Sequence, residues 1–175
     1  MSNIDLILLG LIKQQPQSAY DIQKNVKYRH ISRWVRISEQ SIYKKVVQLE
    51  TKEYISSHTE KNGKMPDKAI YTITEKGNAY FKKLMNEISN RELNIFIDFN
   101  SIIMNLNFLD KTEQMEIISN IKNQILKLKE TLDVRFLERG HIPDTGKAIF
   151  RQQIDLVNSL EKWIIDFENT LNEEK

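Results

Sequence analysis

Apolar residues recur at helical spacing along most of the chain and at strand spacing in one place. Ile4, Leu8, Leu11 and Ile12 form a first stripe, and Ser2 and Asp5 at its start have the spacing of a capping box. Pro16 closes this helix. Ser18 and Asp21 repeat the box ahead of Ala19, Ile22 and Val26, which predicts a short second helix ending near Lys27. A basic connector, 27–36, comes next. Ile42, Val46 and Leu49 then mark a third helix, with Ser38 as its N-cap and Glu39 in its first turn, where a carboxylate suits the helix dipole. Its opposite face carries Gln40, Ser41, Lys44, Lys45 and Gln48.

The period then changes. Residues 55–59 and 69–73 are short and rich in β-branched side chains, and the loop between them holds Asn62-Gly63 and Pro66, so they predict a hairpin. Thr74 caps a fourth helix through Tyr80, Phe81 and Leu84. Three helices, a hairpin and a helix, in that order, make a winged helix-turn-helix. Beyond Glu87 the pattern is helical to the end. Residues 91–109 are apolar almost all round, which predicts one helix buried on several sides. Asp110 and Glu113 cap the next helix, striped by Ile118, Ile121, Ile125, Leu128, Leu132 and Phe136. A last helix is striped by Phe150, Ile154, Val157, Leu160, Ile164, Phe167 and Leu171, and Gly140 to Asp144 make the turn of an antiparallel pair. The expected fold is mainly α: a winged helix-turn-helix with a small β-hairpin wing over 1–86, and a long-helix dimerisation domain over 87–175. A helix that is apolar all round beside two long stripes suits packing against a second copy. Phe96, Phe99, Ile103, Phe150, Ile154, Val157, Ile164 and Phe167 are its candidate contacts.

Charge sharpens this division. The net charge is only +2, yet residues 1–85 hold 15 Lys+Arg against 8 Asp+Glu, and residues 86–175 hold 11 against 16. A front part of +7 and a back part of −5 suggest that one region meets a polyanion and the other does not. Phosphates supply most of the affinity for DNA, while base edges supply specificity. Gln40, Ser41 and Lys44, at the start of the third helix, are the candidate base-edge contacts: the glutamine amide suits adenine and the lysine suits guanine. Arg36, Ser38 and Lys45, with Lys64 and Lys68 from the wing, are candidate phosphate contacts.

Other chemistry is thin. There is no cysteine, so disulfides and thiolate metal sites are excluded. His30, His58 and His141 are scattered, and no P-loop, G-x-S-x-G or G-x-G-x-x-G occurs, so neither an enzyme nor a metal or cofactor site is expected. No apolar run is long enough to span a membrane, and the N-terminus lacks the features of a secretory signal. A cytoplasmic protein is expected.

The ordered set of motifs resembles the PadR-type transcriptional regulators. The residues that carry it are Leu8-Leu9-Gly10-Leu11, Ser18-Ala19-Tyr20-Asp21-Ile22, Gln40-Ser41-Ile42-Tyr43 with Leu49-Glu50, and Tyr71-Thr72-Ile73-Thr74-Glu75-Lys76-Gly77. The resemblance covers roughly 1–85 and implies a homodimeric repressor on pseudo-palindromic double-stranded DNA. It also implies that Tyr20 and Tyr43 face the DNA backbone, and that a small aromatic effector is a candidate ligand. Trp34 and Trp163 themselves read first as core residues. The chain departs from the family pattern at Gln40 and Lys44, where glycine and proline are usual, and at Glu53, which stands for the glycine after the third helix. The basic wing motif survives only as Lys64, Pro66 and Lys68. The competing expectation is a winged helix that binds protein as an adaptor, for which a basic third-helix face has no use.

Overall fold

The computed structural model describes residues 3–35, 37–60, 67–138 and 142–173. Ser2, Arg36, the loop tip with Asn62-Gly63, Lys64 and Pro66, and Gly140 with His141 lie outside the described residues. The chain divides into two compact units, Met1–Asn94 and Ile95–Lys175. The expected boundary at 86/87 falls inside a helix, and the division comes after that helix has ended.

In the first unit, α1 (Asn3–Gln14) buries Leu9 as well as its expected stripe, because α3, α4 and β2 pack around it. α2 (Ala19–Tyr28) starts from the expected capping box: the Asp21 N–H donates to Ser18 Oγ at 3.2 Å, and Ser18 N–H donates back to the Asp21 carboxylate at 3.4 Å. The connector makes one 3-10 turn, Ile31–Arg33, entered through His30 at φ 49°. α3 (Ile42–Thr51) does not start directly from Ser38. A 3-10 turn, Glu39–Ser41, precedes it, and both the N–H and the Oγ of Ser41 donate to the Ser38 carbonyl. That serine therefore closes the tighter turn instead of leaving Ser38 to cap an α-helix.

β1 (Ile55–Glu60) and β2 (Lys68–Ile73) pair antiparallel from Ile55↔Ile73 to Glu60↔Lys68. Gln17 extends the sheet by one bridge, exchanging backbone hydrogen bonds with Tyr71 at 3.3 and 3.0 Å. Its buried side chain donates to the Leu11 carbonyl at 2.7 Å and accepts from Asn25 at 2.7 Å, so one residue joins α1 and α2 through its side chain and the hairpin through its backbone.

α3 ends in a Schellman turn. Tyr54 N–H donates to Leu49 O at 2.9 Å and Glu53 N–H to Glu50 O at 2.7 Å. Glu53, standing where the resembled family has glycine, sits at φ 61°, a conformation that costs a non-glycine residue about 1 kcal/mol. Its carboxylate pairs with Lys76 at 2.7 Å. Thr74 caps α4 (Glu75–Ser89), accepting from Gly77 N–H at 3.0 Å and donating to Glu53 O at 2.7 Å. Gly77 is needed for a different reason: a Cβ there would overlap the Tyr54 carbonyl oxygen.

The second unit departs most from expectation. Residues 91–98 are not helical, and only α5 (Asn100–Ile103) and a 3-10 turn at Leu106–Phe108 form within 91–109. Polar side chains interleave with the apolar ones and bond to the local backbone: Ser101 Oγ to Asp98 O and Asn105 Nδ2 to Ser101 O, both at 2.8 Å. Such bonds compete with a continuous helix. Leu106 alone of this stretch is buried, while Phe96 and Phe108 are 83% and 85% exposed. The long pair forms as expected, except that Leu128, placed in the stripe by its spacing, is exposed. α6 (Lys111–Glu138), entered through the reciprocal Asp110–Glu113 box, lies against α7 (Asp144–Glu173). Lys122 pairs with Glu168 at 2.6 Å and Lys129 with Glu161, a descending register that makes the helices antiparallel. Ile118, Ile121, Ile125, Leu132, Val157, Ile164 and Leu171 fill the seam.

Gly77→Ala is expected to destabilise the first unit by about 3 kcal/mol, since the clash is with backbone that the Schellman turn holds in place. Urea unfolding measures it, and a change below about 0.5 kcal/mol would show that the turn yields freely.

Candidate nucleic-acid interface

Ile42, Val46 and Leu49 lie in the core of the first unit against α1 and α2. That seating turns the opposite face of α3 to water. Gln40, Lys44, Gln48 and Thr51 are exposed there, with Tyr43 at 47% and Val47 at 56%. Among the described residues Lys44 makes no ion pair, so a full charge and a neutral amide stand free one helical turn apart. Ser41 differs from the other two expected base-edge residues. It is half-buried, and its hydroxyl donates into its own turn.

The expected phosphate contacts divide. Tyr20, in the first turn of α2, is 61% exposed, and Tyr43 on α3 is 47% exposed. Ser38 is exposed before the 3-10 turn. Arg36 and Lys64 lie outside the described residues. Lys45 takes a place other than the one expected. It reaches to within 3.3 Å of the nearly buried Asp5 Oδ1 on α1, offsetting a carboxylate that would otherwise be unpaired. Lys68 on β2 is also engaged, 2.6 Å from Asp21 Oδ2 at the start of α2.

This second pair shapes the local electrostatics. The Lys68 hydrogen bond, helped by those from Ser18, holds the Asp21 carboxyl below its ordinary value against the opposing effect of burial. Both side chains remain more than a third exposed, so a polyanion can compete for Lys68. Lys76 does the same to the fully exposed Glu53 on another face.

In the second unit the candidate dimer residues also divide. Val157 and Ile164 are buried in the seam between α6 and α7, so the chain's own core uses them and they present nothing to a partner. Phe99, Ile103, Phe150, Ile154 and Phe167 are half-buried, and only Phe96 is fully open to water. Trp163 stacks on both Phe99 and Phe167, at 5.6 and 5.7 Å between ring centroids. Trp34 is 39% exposed, so it is not the core residue the sequence suggested.

Sequence reasoning passed over three residues that matter here. Val47 was hidden by its apolar neighbour Val46, although at i+3 from Lys44 and i+7 from Gln40 it belongs on their face. Asp5 was read only as a capping residue. Gln17 had no signal at all, because a buried residue that joins three elements through its side chain and backbone leaves no periodic trace.

Residues 8–83 match the model of the Transcriptional regulator PadR-like family. No curated protein is significantly similar in sequence. Among solved structures, Bacillus subtilis PadR in complex with operator DNA superposes with a TM-score of 0.82 at 15% identity, over 97% of this chain and 99% of that one. The same regulator in complex with p-coumaric acid gives 0.80 at 16% identity, over 97% and 99%. The Vibrio cholerae virulence activator AphA gives 0.73 at 12% identity, over 99% and 100%. At these identities the likeness shows the fold, a winged helix followed by a helical region. No described helix is long and apolar enough to cross a membrane.

Asp21→Asn removes a carboxylate whose folded pKa lies below its ordinary 3.8. Its contribution is therefore present above that value and is lost as pH falls through the lowered folded one. Denaturation at pH 7 and pH 5 is expected to show the variant about 0.5–1 kcal/mol less stable, with the gap narrowing below pH 4. A gap that stays constant below pH 4 would mean that the carboxyl's charge contributes nothing.

Proposed function

We propose that this chain, PadR-like over residues 8–83, is a cytoplasmic transcriptional repressor that binds pseudo-palindromic operator DNA as a homodimer and is released by a small aromatic effector. The observation that carries the DNA reading is the outward face of α3. Lys44, which makes no ion pair among the described residues, and the exposed Tyr43 stand on a helix whose other side is locked in the core, with the exposed Gln40 in the turn that leads into it. A major groove accepts one α-helix, and base edges there offer what these groups need. Gln40 pairs with N6 and N7 of adenine, and Lys44 donates to O6 and N7 of guanine. Ser41, half-buried, contributes its free lone pairs at the edge of this contact.

Tyr20, Tyr43 and Ser38 hydrogen-bond phosphates, and Lys68 exchanges Asp21 for one. Arg36 and Lys64 are the remaining proposed phosphate contacts. This set fixes the register in which the base-edge residues read. The same cations have no evident use in a protein adaptor, which favours DNA over that reading.

The dimer reading rests on the second unit. Phe96, Met104 and Phe108 are large, apolar and open to water, and so are Leu156 and Ile165 on α7. Isolated chains rarely leave this much apolar surface wet. Phe99, Ile103, Phe150, Ile154 and Phe167 are half-buried, and a dimer would cover what remains of them. A two-fold dimer places two copies of α3 on successive half-sites about one helical turn apart. The effector reading rests on the Phe99–Trp163–Phe167 stack, whose ring faces can take a planar aromatic, and on the p-coumaric acid bound by Bacillus subtilis PadR. Bound there, it would alter the dimer and so the separation of the two copies of α3.

Titration against duplex DNA from upstream of its own gene, at several salt concentrations, tests the reading. A log–log slope of several units is expected. Lys68→Ala should flatten it by about one unit, and Lys44→Ala should cost about 1–3 kcal/mol on the preferred duplex only. Lys45→Ala should leave the slope unchanged while lowering stability by about 1–3 kcal/mol, because it strands Asp5. Absence of binding even at low salt would overturn the proposal. In light scattering a mass of twice 20.7 kDa is expected, and the mass of a single chain would contradict the dimer.

A further inference from the structure

We infer that Val47 is a specificity residue that reads the 5-methyl group of a thymine in each half-site. The inference rests on the DNA reading of α3 and deepens it. Val47 is the one apolar side chain of α3 that points away from the core, at 56% exposure, among Gln40, Lys44 and Gln48. A β-branched residue is a poor choice for a wet helix position, where lysine or glutamine favours the helix more. Single exposed apolar residues are common, but this one stands on the helix surface that a groove would cover.

In the major groove only one base carries an apolar group, the thymine methyl. Val47 has no hydrogen-bonding atom in its side chain, so against any other base edge it would desolvate donors or acceptors and return nothing. The next turn does not compete for the same spot with a free hydroxyl: Thr51 Oγ donates to the Val47 carbonyl at 2.9 Å. Along the axis Val47 is about 4.5 Å from Lys44, while base pairs rise about 3.4 Å. The methyl it meets therefore belongs to a base pair within one or two steps of the guanine that Lys44 contacts. Gln40, Lys44 and Val47 together read adenine, guanine and thymine by three different chemistries.

Duplexes selected by the wild-type protein from a random-sequence pool supply the probe. Each thymine is then replaced singly by deoxyuridine, which removes the methyl and nothing else. The wild type should lose about three- to fivefold in affinity at one symmetry-related position, within two base pairs of a conserved guanine. Val47→Ala should bind the thymine and deoxyuridine duplexes equally, with an unchanged salt slope, and Val47→Ile should restore discrimination. An unchanged thymine preference in Val47→Ala, or a consensus with no methyl-sensitive thymine, would overturn the role of Val47 and leave DNA binding standing. Failure of the wild type to select any consensus would remove both.

Discussion

The orientation of α3 depends on three side chains. Ile42, Val46 and Leu49 are almost wholly withdrawn from water, and rotating the helix to expose any of them would cost about 1.5–3 kcal/mol per residue. The Lys45–Asp5 pair adds a second restraint on the same rotation from the α1 side. At its far end the helix is stopped by a Schellman turn that accepts the strain of Glu53, with the Thr74 cap and Gly77 pressed against it. The outward face is thus a rigid consequence of the core, and rigid elements suit a reader of base edges.

Two kinds of cation follow from this arrangement. Lys44 has no partner within the described residues and can act on a ligand at no internal cost. Lys45 and Lys68 are held by carboxylates, and they differ in what they hold. Asp5 is nearly buried, so its lysine belongs to the fold, whereas Asp21 is more than a third exposed and can release its partner to a phosphate. Counting basic residues over the front of the chain merges these cases, and only the geometry separates them.

Legibility followed the same line. The helix stripes, both capping boxes at Ser18 and Asp110 and the hairpin strands could all be read from the sequence, because each rests on local spacing, whereas the positive φ of Glu53 was signalled only by the glycine that the resembled family has there. What could not be read depends on tertiary company. The 91–109 stretch is apolar enough for a buried helix, yet Ser101 and Asn105 bind the local backbone, and only Leu106 of its described residues is buried in the second core. Val157 and Ile164 had the right period for a partner's surface, and the same period serves an internal seam. Val47 was lost beside Val46, and Gln17 works through hydrogen bonds that no pattern announces.

The claim on which the functional account turns is that the outward face of α3 enters a major groove. Dimethyl sulfate footprinting of a bound duplex tests it directly, because the reagent methylates guanine N7 in the major groove and adenine N3 in the minor groove. Guanine N7 protection is expected in two symmetric half-sites, weakened at one guanine of each by Lys44→Ala. Protection confined to adenine N3, or none on a duplex that the protein demonstrably binds, would contradict it.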